Sequence, residues 1–200
     1  MKVAKIVNNT EVEGPGNRTA IWLQGCSIKC SDCCNPELID CEGGKDTDPV
    51  WLASELACNK SDGITILGGE PLDQSTELLK FLYEYKKLSE RSVMLFTGYN
   101  WQQITNDHTK KILIENCDLV VAGPFLRSLK SNERRWIGSD NQTIHFITKK
   151  LLYLKGSWPK DECEIEISII DDEIVVNGAA IDFFNHKELL ELKGGFDENS

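Results

Sequence analysis

Along the first 148 residues, short apolar runs alternate with longer stretches in which apolar residues recur at helical spacing. The runs Lys2 to Val7, Ala20 to Leu23, Gly63 to Leu67, Ser92 to Phe96, Asp118 to Val121 and Thr143 to Thr148 each end at a turn signal and predict strands. Pro49 to Asn59, Asp73 to Leu88 and Gln102 to Asn116 predict helices. In the second, Leu78, Leu79, Leu82 and Tyr85 form an apolar stripe and Asp73 is placed as the N-cap. Strands separated by helices of this length pair in parallel through right-handed crossovers. The expected class is α/β, an incomplete (βα) barrel or open sheet of about five to six mostly parallel strands, too few to close an eight-stranded barrel.

Beyond Thr148 the rhythm changes. Glu164 to Ile170 alternates charged and apolar residues, Asp171-Asp172 marks a turn, and Glu173 to Val176 resumes the alternation with Asn177-Gly178 behind it. This predicts a small C-terminal β-hairpin, followed by a short helix over Asn185 to Leu192. Lys149 to Asp161, with Gly156, Ser157 and Pro159, reads as a linker. The chain of 200 residues therefore divides into a domain over 1–148 and an appendage over 149–200.

Charge narrows the partners. Lys and Arg number 22 against 32 Asp and Glu, a net charge of -10 that repels nucleic-acid phosphates. No apolar run approaches the roughly 18 residues of a membrane span, so neither nucleic acid nor membrane is an expected partner. Eight cysteines are too few in 200 residues for a secreted disulfide scaffold, and Met1 to Gly14 lacks the apolar stretch of a signal peptide. A cytoplasmic location with reduced thiols is expected, where closely spaced cysteines serve as ligands or catalysts.

Cys26, Cys30 and Cys33 form a C-x3-C-x2-C array directly after an apolar strand, so one short loop presents three thiolates. Such ligands favour zinc or an iron-sulfur cluster, and three of them leave one metal position open, as a reactive site requires. Two other arrangements share this spacing: a zinc site completed by Cys34 or Cys41, and an electron-transfer cluster with a distant fourth ligand. Gly68 and Gly69 end the apolar run Ile64 to Leu67, where backbone can approach a ligand at the carboxyl end of a parallel strand. The same residues also suit a plain strand-to-helix turn with Pro71 in the first helical turn. Arg127, Lys130, Arg134 and Arg135 concentrate positive charge on an acidic chain, either as a solvated loop or as a docking surface or lid. Trp136 suits an interface anchor and a core position equally. His108, His145 and His186 lack ligand spacing, and Cys41, Cys58, Cys117 and Cys163 read as isolated buried thiols.

The cysteine array resembles the cluster motif of the radical S-adenosylmethionine superfamily, and six further motifs stand in register with it. Gly14-Pro15-Gly16-Asn17-Arg18 resembles the Gly-Pro-Gly-x-Arg lead-in of activating proteins of glycyl radical enzymes, and Trp22-Leu23-Gln24-Gly25-Cys26 their strand entering the cluster loop. Gly68-Gly69-Glu70-Pro71, Thr97-Gly98-Tyr99 and Gly123-Pro124-Phe125 are similar to their Gly-Gly-Glu-Pro, Thr-Gly-Tyr and Gly-x-Phe segments. Arg135-Trp136-Ile137-Gly138-Ser139-Asp140-Asn141-Gln142 resembles their Trp-Arg-Gly-Ser-Ser-Asn-Gln. The resemblance spans about Asn8 to about Ile147 and is above all to the activators of anaerobic ribonucleotide reductase. Asp32 stands where the family often has Gly or an aromatic residue, Ala122 where it commonly has Asp, and the chain after Thr148 lies outside the minimal activator.

The resemblance implies an oxidoreductase holding a 4Fe-4S cluster on Cys26, Cys30 and Cys33, with S-adenosylmethionine on the fourth iron. Gly68, Gly69 and Glu70 would receive the methionine amino group, Thr97 would end the neighbouring strand at the cosubstrate, and Asp32 and Cys34 would flank the adenine through their backbone. One electron from a flavodoxin or ferredoxin would yield a 5′-deoxyadenosyl radical. That radical would take hydrogen from a backbone glycine of the partner, expected to be the large subunit of anaerobic ribonucleotide reductase. Arg127, Arg134, Arg135 and Trp136 are the docking candidates. A radical reaction on a peptide or small molecule, or a non-catalytic zinc or electron-transfer module, are the other readings. No side-chain general base is needed, and no Gly-x-Ser-x-Gly elbow, P-loop or His-Glu-x-x-His occurs.

Overall fold

The computed structural model describes residues 1–160, 164–170 and 173–178. The chain runs β1 (Lys2–Thr10), β2 (Arg18–Leu23), β3 (Lys45–Asp46), α1 (Pro49–Ala57), β4 (Gly63–Gly68), α2 (Ser75–Leu88), β5 (Ser92–Thr97), α3 (Trp101–Asn106), α4 (His108–Ile114), β6 (Leu119–Ala122), β7 (Thr143–Phe146), β8 (Ile165–Ile170) and β9 (Glu173–Gly178). The first seven strands form one sheet in the order β3-β1-β2-β4-β5-β6-β7. Its four central strands, β2, β4, β5 and β6, are parallel. The mixed α/β class and the mostly parallel sheet hold, with one correction: the sheet has seven strands in place of five or six. Within it β1 and β7 run antiparallel to their neighbours. The reason is in the connections. Neither 11–17 nor 123–142 carries a crossover α-helix, so at both places the chain turns back on itself instead of crossing over.

Both faces of the central strands are covered, which is why their sequences read as continuous apolar runs. One face sets Ile21, Leu23, Ile64, Ile66, Val93, Leu95 and Val120 into a core with Leu52 and Leu56 of α1, Leu78, Phe81, Leu82 and Tyr85 of α2, and Leu113 and Ile114 of α4. On the other, Val7, Ala20 and Trp22 pack with Leu38. Beside them Met94, Leu119 and Val121 pack with Ile137, Leu151 and Leu154. Of the expected linker Lys149 to Asp161, the described part, 149–160, is packed: Leu151 and Leu154 are core residues, and Trp158 Nε1 donates to the Arg135 carbonyl at 2.9 Å.

Two helix predictions shift. A 3-10 turn at Pro71–Gln74 precedes α2, and Gln74, whose side chain makes no capping bond, occupies its N-cap in place of Asp73. The third predicted helix divides at Asp107, whose carboxylate accepts from Lys110 N and caps α4. The hairpin β8–β9 pairs from Ile165↔Gly178 to Ile170↔Glu173. It is joined to the end of β1, where Glu166 accepts from Thr10 Oγ1 (2.6 Å) and Glu11 N (2.7 Å) and Asn177 Nδ2 donates to Thr10 Oγ1 (3.1 Å). Cys163, Asp171-Asp172, His186 and the helix expected over Asn185 to Leu192 lie outside the described residues. Among the described residues no helix is long and apolar enough to cross a membrane.

Candidate metal centre

The chain leaves β2 at Leu23 and enters the cysteine loop through Gln24-Gly25. The loop closes at a neck: Gly25 N donates to Leu38 O (2.9 Å) and Cys26 N to Ile39 O (3.1 Å), while Gln24 Nε2 donates to the Glu37 and Asp40 carbonyls. Cys26, Cys30 and Cys33 are half-buried free thiols on this one loop. The Cys34 thiol, hydrogen-bonded to the Cys33 sulfur, holds Cys33 down at about 6, and Asn35 N donates to the same sulfur at 3.4 Å. Burial pushes Cys26 up. The lowering at Cys33 favours its thiolate, the ligand form. Among the described residues no three His, Cys, Asp or Glu side chains gather as one metal ion requires, with Cys34 and Cys41 included. A 4Fe-4S cluster requires something different, one thiolate on each of three irons, and three soft donors on a single pinned loop fit that demand.

Beside the loop lies the end of β4. Gly68 has φ +109°, and a Cβ there would stand 2.5 Å from Leu23 N; a Cβ on Gly69 would stand 2.1 Å from Gly25 O. Gly69 N donates to Leu23 O (2.7 Å) and Glu70 N to Gly25 O (2.8 Å). These glycines therefore seat β4 against the entrance of the cysteine loop, a packing role that the sequence reading, concerned with ligand approach, did not include. The Glu70 side chain is 1% exposed. One of its oxygens accepts from Leu72 N (2.9 Å) and Thr97 Oγ1 (2.7 Å), the other from Gly98 N (2.7 Å). Burial pushes its carboxyl up to about 7, against the opposing pull of those bonds. Glu70 and Thr97 thus form a strut between the ends of β4 and β5.

Residues 12–145 match the family model of a 4Fe-4S single cluster domain. The chain is 30% identical over 139 residues to the anaerobic ribonucleoside-triphosphate reductase-activating protein of Enterobacteria phage T4, covering 66% of this chain and 86% of that protein. It is 26% identical over 145 residues to the protein of that name from Vibrio cholerae, covering 68% and 92%. It is 33% identical over 113 residues to the pyruvate formate-lyase-activating enzyme of Clostridium pasteurianum, covering 52% and 47%. The chain belongs to the radical S-adenosylmethionine activating enzymes of glycyl radical enzymes.

In this activating enzyme, an iron-sulfur protein of the oxidoreductase class, the docking candidates separate. Arg127 is 76% exposed and faces Asp32 of the cysteine loop at 3.7 Å. Arg134 donates to the Ser139 and Gln142 carbonyls and pairs with Asp140 at 3.2 Å. Arg135 pairs with Glu164 and donates to Glu11 O, tying the hairpin to the body. Trp136 packs edge-on against Trp158, ring centroids 5.7 Å apart. Only Arg127 of these four projects beside the cysteines. Cys117 is buried, its thiol pushed up to about 12, as read from the sequence. Cys41 and Cys58 are exposed, which corrects their reading as buried thiols; type alone gave no information on which side of α1 Cys58 would end. His108 is exposed and His145 stacks on Trp101 at 3.6 Å. Ala122 is buried at the end of β6, and its side chain brings no polar group there.

One arrangement at the site escaped sequence reasoning. Asp73 accepts from Ser27 N (2.7 Å), Ser27 Oγ (2.9 Å) and Tyr99 OH (2.7 Å). Its sequence signal, an acid two residues beyond Pro71, was absorbed by the capping explanation. Cavities of about 310 and 400 Å³ lie at the opposite ends of the strands, lined in part by Pro15, Gly16, Asp62 and Tyr153, and neither touches the cysteine loop.

Proposed function

We propose that this activating enzyme holds a 4Fe-4S cluster on Cys26, Cys30 and Cys33, takes S-adenosylmethionine as cosubstrate, and generates a glycyl radical on anaerobic ribonucleotide reductase in the cytoplasm. The observation that carries this reading is the meeting of the cysteine loop, Gly68-Gly69-Glu70 and Thr97 at the carboxyl ends of parallel strands, where α/β folds bind ligands. The bound groups supply one-electron cleavage of the sulfonium bond, to methionine and a 5′-deoxyadenosyl radical, with the electron drawn from a reduced flavodoxin or ferredoxin.

The chain's own residues bind, orient and exclude water. The neck at Gly25 and Leu38 fixes the loop, and the sheet curls as the incomplete (βα) barrel around the cosubstrate. Because the Glu70 carboxylate is engaged by three donors, the backbone of Gly68 to Glu70 receives the methionine amino group, and Glu70 acts by holding that backbone in place. Asp32 and Cys34 flank the adenine through their backbone. Arg127 is the docking contact for the partner, while Arg134, Arg135 and Trp136 shape the segment behind it.

Anaerobic reconstitution with iron and sulfide, reduction in the presence of S-adenosylmethionine and chromatography tests this. The expected products are 5′-deoxyadenosine and methionine from the native chain and neither from Cys30→Ala. A cluster-loaded protein that makes no 5′-deoxyadenosine even with the reductase present returns the chain to an electron-transfer module. The hairpin, beyond the matched residues, favours a second reading in which the radical goes to another peptide or a small molecule. A glycyl radical signal on added reductase separates the two.

A further inference from the structure

We propose that Asp73 is a positioning residue that clasps the first limb of the cysteine loop to the turn after β4, and so fixes where Cys26 stands relative to the cosubstrate. The inference rests on the cluster reading above but draws on different contacts. The Asp73 carboxylate uses both oxygens on Ser27, the residue after Cys26: Oδ2 accepts from the backbone N–H and Oδ1 from the hydroxyl. Oδ1 also accepts from Tyr99 OH, which stands 3.2 Å from Ser27 Oγ, so three segments 26 to 72 residues apart close into one polar knot. The turn that carries Asp73 is itself fixed, since Asp73 N donates to Glu70 O and Leu72 N to Glu70 Oε1. Lys110 stands 4.9 Å from the centre of the Tyr99 ring and braces it from behind.

An apolar contact completes the hold. Ile28 packs where a Cβ on Gly98 would meet its Cγ1 at 3.1 Å, so the glycine of Thr97-Gly98-Tyr99 makes room for the loop. The limb Cys26 to Ile28 is therefore seated on the same two strand ends that Glu70 and Thr97 brace. The second limb, with Cys30 and Cys33, is held by a local Cys33 N to Cys30 O bond and by the exposed Arg127–Asp32 pair. Asp73 thus sets a carboxylate against the residue that follows Cys26, and its Ser27 bond takes up the first backbone N–H after that cysteine.

The test compares Asp73→Asn with the native chain. In the cluster-free protein, exchange protection of the Ser27 amide should fall roughly fivefold, the size of one ordinary intramolecular hydrogen bond, while the Gly69 amide keeps its protection. In the reconstituted protein, iron should leave to a chelator roughly fivefold faster, and the electron paramagnetic resonance signal of the reduced cluster should shift while the melting temperature stays within a few degrees. Native rates and an unchanged signal in Asp73→Asn overturn the proposal. Should that variant not fold, Tyr99→Phe removes one bond of the knot and should speed both processes roughly twofold; native rates there overturn it equally. If the native chain takes up no iron, the proposed function falls, and Ser27 exchange alone still decides the clasp.

Discussion

The two ends of the parallel strands are held by opposite means. At the starts of β2, β4 and β5, Arg18 is completely buried, donating to Thr65 Oγ1 (2.6 Å), Ser92 Oγ (2.9 Å) and the carbonyls of Pro15, Ile64 and Ser92. Burial pushes its guanidinium down to about 10, yet every contact is made within the fold. A Cβ on Gly63 would lie 2.4 Å from Ser92 O and 2.8 Å from Arg18 Nη1, so only glycine fits beside the guanidinium. At the other end, cysteines, glycine backbone and exposed acids face outward. One end fastens the strands and the other presents chemistry, the division expected of sheets whose sites sit at strand C-termini. The lesson concerns motifs: Gly14-Pro15-Gly16-Asn17-Arg18 resembles a family signature as closely as the cysteines do, and it belongs to the fastening end.

Cys30→Ala should break the comparison most sharply: cosubstrate cleavage vanishes and iron per chain falls, while the cluster-free protein melts as the native one does. Gly69→Val should abolish iron binding and lower stability together, costing about 3 kcal/mol in a urea titration, because its branched side chain drives β4 from Gly25. Arg18→Met should cost about 2 kcal/mol by stranding buried acceptors, yet leave iron stoichiometry at the native value. Loss of iron there would show that the two ends are not separate.

Glu70 sharpens the contrast through pH. Its folded pKa, about 7 against 4.5, means that the folded state holds a proton the unfolded chain has released. Its contribution therefore lowers stability as pH rises from about 4.5 to 7. Glu70→Gln should remove that part of the slope in urea titrations across the window; an unchanged slope refutes the buried strut. The smallest effect belongs to Arg127→Ala. An exposed pair at 3.7 Å should be worth under about 0.5 kcal/mol, whereas the reductase concentration for half-maximal radical formation should rise a few-fold.

The strands were legible because coverage on both faces turns them into apolar runs, as at Ile64 to Leu67 and Leu119 to Val121. Their individual directions were not, since a mostly parallel sheet follows from the helices between strands and leaves open β1 and β7, whose connections 11–17 and 123–142 carry no crossover α-helix. β3, two exposed residues, has no pattern to detect. Asp107 hid inside a helical period because a cap between two short helices preserves the spacing of apolar residues. The three cysteines announced themselves by spacing along a single loop. Asp73 did not: a carboxylate that caps locally and one that reaches a serine 46 residues away look identical in a string.

The neck of the cysteine loop also bears on how such a site changes over evolutionary time. With Gly25 bonded to Leu38 and Cys26 to Ile39, everything between hangs as a lasso whose two ends already touch. Adding a few residues after Cys33 lengthens the noose and leaves both ends where they are, at an entropic cost that grows only with the logarithm of loop length. That stretch can thus be rewritten in size and composition while the sheet below keeps its register, so descendants of one scaffold can change the loop without refounding the fold.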